Sequence, residues 1–145
     1  MSQPQHVIVT GAAGALGRAV VEHFLNQGAH VHALDISDEL LAAALAGADP
    51  GRVQGYAVDL TSRPDCMRCV GSIRENAQRI DVLCNVAGGF MMGEGVAETS
   101  DETWDFLFNL NTKSVMHMAA AVVPLMRESG AVSYTHLTLP TSSQV

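Results

Sequence analysis

Residues 7–17 decide the fold of this chain, and they read Val7-Ile8-Val9-Thr10-Gly11-Ala12-Ala13-Gly14-Ala15-Leu16-Gly17. A short apolar strand is followed by three glycines spaced three residues apart, and a helical pattern starts at once. A strand that passes through a glycine-rich turn into a helix presents backbone N–H groups to a phosphate. Glycine supplies the unusual dihedrals and the close backbone approach. Taken alone, the turn supports a structural and a cofactor-binding interpretation equally.

Composition excludes several classes of function. The 145 residues match one domain, and 48% hydrophobic with 16% charged residues is typical of a globular protein. The net charge of -7 disfavours nucleic acid and anionic membranes as partners. No apolar run approaches the ~18 residues that span a bilayer, and residues 1–5 do not resemble a secretory signal. We therefore expect a cytoplasmic protein with neither nucleic acid nor membrane as a partner.

Cysteine and histidine patterns predict no metal site. Cys66 and Cys69 form a C-x-x-C in a helical segment, without a second pair or a thioredoxin-like context. They are expected to be ordinary cysteines on one side of a helix. His30 and His32 share one face of a predicted strand but have no third ligand at metal-binding spacing, which indicates a structural role.

The rest of the chain alternates apolar strands with amphipathic helices. Strands are predicted at residues 6–10, 29–34, 53–58 and 80–85, and helices at 14–27, 37–47, 62–78 and 99–127. Ser62 and Thr99 are the predicted caps of the last two helices, and Pro124 predicts a kink or an early end. This rhythm predicts an α/β fold with a Rossmann-like, doubly wound parallel sheet of strand order 3-2-1-4. Gly130 and Ala131 should enter a fifth strand, and the sheet is expected to be truncated at about that point.

The residues of interest stand at the carboxyl ends of the predicted strands, namely Gly11, Asp35, Asp59 and Asn85. Because the carboxyl ends of parallel strands meet at one edge, these residues favour a cofactor site. Asp35 is suited to accept hydrogen bonds from the adenosine ribose of NAD and to repel the 2′-phosphate of NADP, and no arginine follows it. NAD is therefore favoured over NADP. The alternative is that Asp35 only caps the next helix.

Four motifs together resemble the short-chain dehydrogenase/reductase family over residues 6 to about 131. They are Thr10-Gly11-x-x-Gly14-x-x-Gly17, Asp59-Leu60, Asn85-Val86-Ala87-Gly88 and Asn109-Leu110-Asn111. The resemblance implies an oxidoreductase that moves a hydride between a nicotinamide cofactor and a small alcohol or carbonyl substrate. The glycine spacing fits the extended branch of the family, whereas the two asparagine motifs fit the compact branch, which we favour.

The resemblance also assigns site residues. It implies that Asp59 contacts the adenine and that Asn111 belongs to a catalytic Asn-Ser-Tyr-Lys set, where it holds a water-linked proton relay to the lysine. The expected cofactor-binding residues are Thr10, Gly11, Gly14, Ala15, Leu16, Gly17, Asp35, Asp59, Leu60, Asn85, Ala87 and Gly88. No metal ligand is expected, and the family implies a homo-oligomeric parent protein.

The catalytic set is incomplete in this sequence. The family needs a serine after the fifth strand and a Tyr-x-x-x-Lys, but Tyr134 is followed at the lysine position by Thr138, and the last lysine is Lys113. Without this acid–base pair we expect no catalysis by the chain as given, since such pairs contribute about 10²–10⁴-fold. Ser133 and Tyr134 are not assigned as catalytic.

The last residues suggest the reason. Residues 132–141 resemble a translated transposase sequencing adapter, so we expect an incomplete NAD(P)-binding domain at residues 1–131 and a non-native tail at 132–145. A genuine divergent tail is the alternative.

Two further alternatives stay open. One is a non-catalytic dinucleotide-binding or sensor module, against which Asn111 argues, and the other is an α/β domain that binds no nucleotide. The loop with Met91 and Met92 is expected near the nicotinamide, where it either contacts substrate or is a mobile connection.

Overall fold

A four-stranded parallel sheet forms the centre of the fold. The computed structural model describes residues 3–91, 93 and 95–128. The strands are β1 (His6–Thr10), β2 (His30–Asp35), β3 (Val53–Ala57) and β4 (Val82–Cys84). Their order is β3-β2-β1-β4, so the predicted order is confirmed. Because the chain builds outward from β1 on one side and then crosses to the other, the carboxyl end of β1 is a topological switch point.

Helices cover both faces of this sheet. They are α1 (Ala15–Asn26), α2 (Asp38–Ala44), α3 (Arg63–Asn76), α4 (Asp101–Phe108) and α5 (Ser114–Glu128), with a short 3₁₀ turn at Val96–Glu98. Side chains alternate along β1, so Ile8 joins a core with α3 and α5 whereas Val7 and Val9 join a second core with α1 and α2. All three are fully buried. The doubly wound architecture is therefore confirmed.

Three helices begin at a serine whose hydroxyl accepts a hydrogen bond from the helix backbone. The caps are Ser37, Ser62 and Ser100. The prediction of Ser62 is confirmed, whereas that of Thr99 is wrong by one residue. The carboxylate of Asp65, in the first turn of α3, does not bond back to the cap residue Ser62. It accepts from the Asp59 N–H at 2.7 Å and thereby ties α3 to the chain after β3.

The long helix predicted over residues 99–127 is present over residues 101–128. It contains a π turn at Asn109–Lys113, which joins α4 to α5. Pro124 does not end the helix early, since α5 continues to Glu128. Pro124 is on the exposed side of α5, while Val122 and Met126 are buried on the opposite side. The prediction of an early end is therefore wrong.

Some expectations fall outside the described residues. These are the fifth strand expected from residue 130, the adapter-like residues 132–141 and Met92. Within the described part of the chain, no helix has the length and apolar character needed to cross a membrane.

The end of β1 and the start of α1 approach so closely that only glycine fits between them. A Cβ on Gly17 would lie 1.9 Å from the carbonyl oxygen of Gly11. Gly11 itself has a φ of +64°, and its Cβ would lie 2.7 Å from the Cα of Ala87. Helix α1 therefore begins directly against the strand that precedes it.

The two cysteines of the C-x-x-C belong to the core between α3 and α5. Cys66 and Cys69 are both buried there. Burial raises the pKa of Cys66 to about 11 and that of Cys69 to about 12. Both thiols stay protonated at neutral pH, as expected for structural cysteines.

Three histidines stack at the amino-terminal ends of β1 and β2. The ring of His6 lies 5.1 Å from that of His30 and 5.5 Å from that of His32, at interplanar angles of 13° and 19°. His6 Nδ1 and His32 Nε2 are 3.2 Å apart, and the buried His32 Nδ1 has no hydrogen-bond partner. We assign the His32 proton to Nε2, because a buried lone pair costs less than a buried N–H without an acceptor. The described residues contain no cluster of three or more His, Cys, Asp or Glu arranged to hold a metal.

The contact at Gly17 predicts a large loss of stability for Gly17→Ala. The methyl group must displace backbone, so the free energy of unfolding should fall by about 3 kcal/mol. The matched control is Gly71→Ala, on the exposed side of α3 with open space around it, which should gain up to about 1 kcal/mol. Urea unfolding followed by circular dichroism measures both. Equal stability of Gly17→Ala and the original chain would contradict the packing described above.

The histidine stack predicts that the fold weakens in acid. Burial, followed by the charges of His6 and His30, lowers the pKa of His32 to about 4 from 6.5. Below pH 6.5, His32 is therefore protonated in the unfolded chain while it is still neutral in the folded chain. The free energy of unfolding is thus fully retained above pH 6.5 and falls as the pH drops from 6.5 toward 4.

We expect His32 to account for about 2 kcal/mol of the fall in unfolding free energy between pH 7 and pH 4.5. His32→Gln should show a flatter pH dependence over that range, whereas His23→Gln, on the exposed face of α1, should follow the original chain. Urea titrations at each pH measure this. A His32→Gln curve parallel to that of the original chain would rule the mechanism out.

Candidate functional site

A cleft of about 870 Å³ opens at the carboxyl ends of the strands. This volume is typical of sites for organic ligands. Ten of the twelve predicted cofactor-binding residues line it. Five come from the glycine turn, namely Gly11, Gly14, Ala15, Leu16 and Gly17. The other five stand at the end of β2 or after β3 and β4, namely Asp35, Asp59, Leu60, Ala87 and Gly88. The fold thus brings four distant segments of the chain to one cavity.

The remaining predicted residues lie outside the cleft lining. Thr10 is buried, and its Oγ1 accepts hydrogen bonds from the N–H groups of Val86 and Ala87, both at 3.1 Å. Thr10 therefore links β1 to the loop after β4. Asn85 has a buried Nδ2 without a hydrogen-bond partner.

The N-terminus of α1 differs from those of α2, α3 and α4. Its cap is Gly14, no side chain accepts from its first turn, and that turn holds no acidic residue. The other three helices each have a serine cap and at least one acidic residue in the first turn. Free N–H groups and the positive end of the helix dipole therefore meet at α1 without a compensating negative charge. This end of α1 lies on the cleft and is suited to an anion.

The carboxylate of Asp35 is held by two backbone N–H groups. One oxygen accepts from Ala13 at 2.9 Å and the other from Ile36 at 2.8 Å. The next helix, α2, is capped by Ser37, whose hydroxyl accepts from Leu40 at 3.2 Å. The alternative in which Asp35 only caps this helix is therefore wrong. Asp35 instead joins the end of β2 to the glycine turn and lines the cleft between them.

The carboxylate of Asp59 has a fixed orientation as well. Its Oδ1 accepts from the backbone N–H of Thr61 at 2.9 Å and from the Thr61 hydroxyl at 2.6 Å. Leu60 and Thr61 continue the same wall of the cleft. The Leu60 carbonyl accepts from Nδ1 of His117 at 2.9 Å, which ties the first part of α5 to the chain after β3.

Asn111 clamps the loop after β4 to the π turn. Its Oδ1 accepts from the Gly89 N–H and its Nδ2 donates to the Gly89 carbonyl, both at 2.9 Å. Nδ2 also donates to the carbonyl of Leu107 at 2.9 Å. The approach is tight, because a Cβ on Gly88 would lie 2.8 Å from Asn111 Oδ1. The loop that borders the cleft is therefore held at Gly89 as well as at Val86 and Ala87.

Several lining residues were missed by sequence reasoning. Ala13, Ile36 and Val86 are immediate neighbours of predicted residues and share their turns. Phe106 comes from the helical segment instead, about one helical turn before Leu110, which also lines the cleft and belongs to the Asn109-Leu110-Asn111 motif. The sequence signal for Phe106 is its four-residue spacing from this apolar side chain.

Comparison with known proteins agrees with this geometry. The family model described as short chain dehydrogenase matches residues 5–133. The chain is 36% identical over 121 residues to the 3-oxoacyl-[acyl-carrier-protein] reductase FabG of Thermotoga maritima, which covers 82% of this chain and 49% of the relative. It is 34% identical over 115 residues to an NAD-dependent glycerol dehydrogenase of Listeria innocua, covering 79% of this chain and 44% of that protein.

Solved structures show the same fold. A short-chain dehydrogenase from Streptomyces avermitilis superimposes with a TM-score of 0.85 at 26% identity, covering 93% of this chain and 49% of that one. The chain spans about half the length of the curated relatives it matches. It belongs to the short-chain dehydrogenase family.

Proposed function

We propose that this chain is the dinucleotide-binding part of an NAD-dependent oxidoreductase that acts on a small alcohol or carbonyl substrate. Relatives named as a reductase and as an NAD-dependent dehydrogenase support the reaction class. The domain in this proposal covers residues 1–131, and residues 132–145 are a non-native tail. We place the function in the cytoplasm, in a homo-oligomeric parent without nucleic acid or membrane as a partner.

The observation that carries the proposal is the uncapped N-terminus of α1 on the cleft. In it, the N–H groups of Ala15, Leu16 and Gly17 have neither a capping side chain nor an acidic neighbour in the first turn. Gly11 and Gly17 leave no Cβ between this helix end and the strand. A pyrophosphate fits such a cradle, since it offers two negative charges to the helix end and needs close backbone approach. We assign it to this position.

The two carboxylates at the ends of β2 and β3 support NAD rather than NADP. Asp35 is fixed by the N–H of Ala13, beside the proposed pyrophosphate position. From there it accepts hydrogen bonds from the ribose hydroxyls and repels a 2′-phosphate. Asp59, fixed by Thr61, is assigned to the adenine. Thr10 and Asn85 act behind the cleft, Thr10 by holding the loop after β4.

A bound nicotinamide supplies a hydride donor or acceptor. In the proposal this half of the dinucleotide extends past β1 toward Ala87 and Gly88, because Asp35 and Asp59 hold the adenosine half on the other side. Asn111 is the positioning residue there, since its clamp on Gly89 fixes the loop. It also belongs to the catalytic set by family resemblance.

A second candidate is a non-catalytic dinucleotide-binding or sensor module. The uncapped N-terminus of α1 on the cleft supports dinucleotide binding with or without the reaction. Asn111 favours the oxidoreductase instead, because a binding module has little need of a catalytic-set asparagine.

The role of Asp35 predicts a preference for NAD that depends on its charge. We expect the chain to bind NAD at least about tenfold more tightly than NADP, and Asp35→Asn to weaken NAD binding about tenfold, since hydrogen bonds to a charged group contribute about 1.5–3 kcal/mol. Asp38→Asn is the matched control, because it removes the same charge from an exposed position outside the cleft. Isothermal titration calorimetry measures the four affinities. Equal binding of NAD and NADP by the original chain would overturn the cofactor assignment.

The missing acid–base pair predicts binding without turnover. With NADH and a panel of ketones and aldehydes, the rate should be about 10²–10⁴-fold below that of an enzyme with the pair. Absorbance of NADH follows the reaction, and calorimetry on the same sample establishes that the cofactor is bound. Turnover at ordinary dehydrogenase rates would sink the claim that this chain is inactive.

A further inference from the structure

We propose that Phe106 forms one wall of the adenine site and that its ring stacks on the adenine of the bound dinucleotide. This inference rests on the proposed function and adds to it a binding residue that the sequence motifs do not contain. Phe106 lies in α4, outside the glycine turn and outside the strand ends that supply the other assigned residues.

The ring of Phe106 is available to a ligand. Phe106 lines the cleft together with Leu110, and 47% of its surface is exposed. Phe108 on the same helix is exposed to a similar extent, at 50%, but it does not line the cleft. The position of Phe106, rather than aromatic exposure in general, therefore distinguishes it.

The helical segment that continues from Phe106 into α5 is tied to the cleft wall at two points, both C-terminal to Phe106. Asn111, five residues after Phe106, bonds the Gly89 N–H in the loop after β4. His117 in α5 donates to the carbonyl of Leu60, which directly follows Asp59. The helical segment just after Phe106 is thus held beside both the loop after β4 and Leu60.

Chemistry favours the adenine as the group that Phe106 meets. The cleft wall made by Leu60, Leu110 and Phe106 is apolar, whereas the phosphate position at α1 consists of backbone N–H groups. Among the parts of a dinucleotide, the adenine is uncharged and flat, and it has a π face that stacks on an aromatic ring. Stacking of a base on an aromatic side chain contributes about 1–3 kcal/mol.

The test uses the single tryptophan of the chain, Trp104, as a reporter two residues from Phe106. Energy transfer from Trp104 to NADH gives the NADH affinity, and competition gives that of ADP-ribose, which lacks the nicotinamide. We expect Phe106→Ala to weaken both about tenfold. Phe106→Tyr keeps a ring and should bind as the original chain does, whereas Phe106→Leu should bind as Phe106→Ala does. Phe108→Ala is the matched control and should leave both affinities unchanged.

The experiment distinguishes failure of the inference about Phe106 from failure of the proposed function. Undiminished ADP-ribose binding by Phe106→Ala, with normal binding by the original chain, overturns the inference and leaves the proposed function standing. Equal losses in Phe106→Ala and Phe108→Ala overturn it as well, since a general effect on the helix then explains both. Absence of NADH and ADP-ribose binding by the original chain refutes the proposed function, and the inference falls with it.

Discussion

The structure depends on the contact between the backbone of Gly17 and the carbonyl of Gly11, where a single added methyl group would collide at 1.9 Å. Because nothing separates them, α1 begins directly against the end of β1, and its uncapped first residues line the cleft. Thr10 extends the arrangement, since its hydroxyl accepts from the N–H groups of Val86 and Ala87 and brings the loop after β4 to the same point. One turn therefore sets both the helix end and the loop that borders the cleft.

Much of the fold follows from local patterns in the sequence. The alternation of apolar strands with amphipathic helices predicts parallel pairing, and the handedness of crossovers predicts the order β3-β2-β1-β4. The π turn at Asn109–Lys113 is different, because the clamp there depends on a contact between Asn111 and Gly89 that has no local signature. Likewise, α5 continues past Pro124 because Val122 and Met126 are buried against the core.

The candidate site likewise has residues that the sequence predicts and residues whose position depends on distant contacts. The glycines of the turn and the acidic residues Asp35 and Asp59 can be predicted as site residues from the sequence, since the ends of parallel strands meet at one edge. The position of Thr10 behind the cleft depends on a partner 76 residues along the chain. Phe106 was missed because α4 lies after β4 and beyond the sheet pattern, so its spacing does not tell which face meets the cleft.

The central claim is that the end of α1 binds the pyrophosphate of a dinucleotide. Amide resonances of the ¹⁵N-labelled chain, followed during titration with NAD, test it at the atoms concerned. The account predicts large saturating shifts at the N–H groups of Ala15, Leu16 and Gly17, because these have no capping acceptor. Saturable NAD binding that leaves those three amides unmoved, or no binding at all, would contradict it.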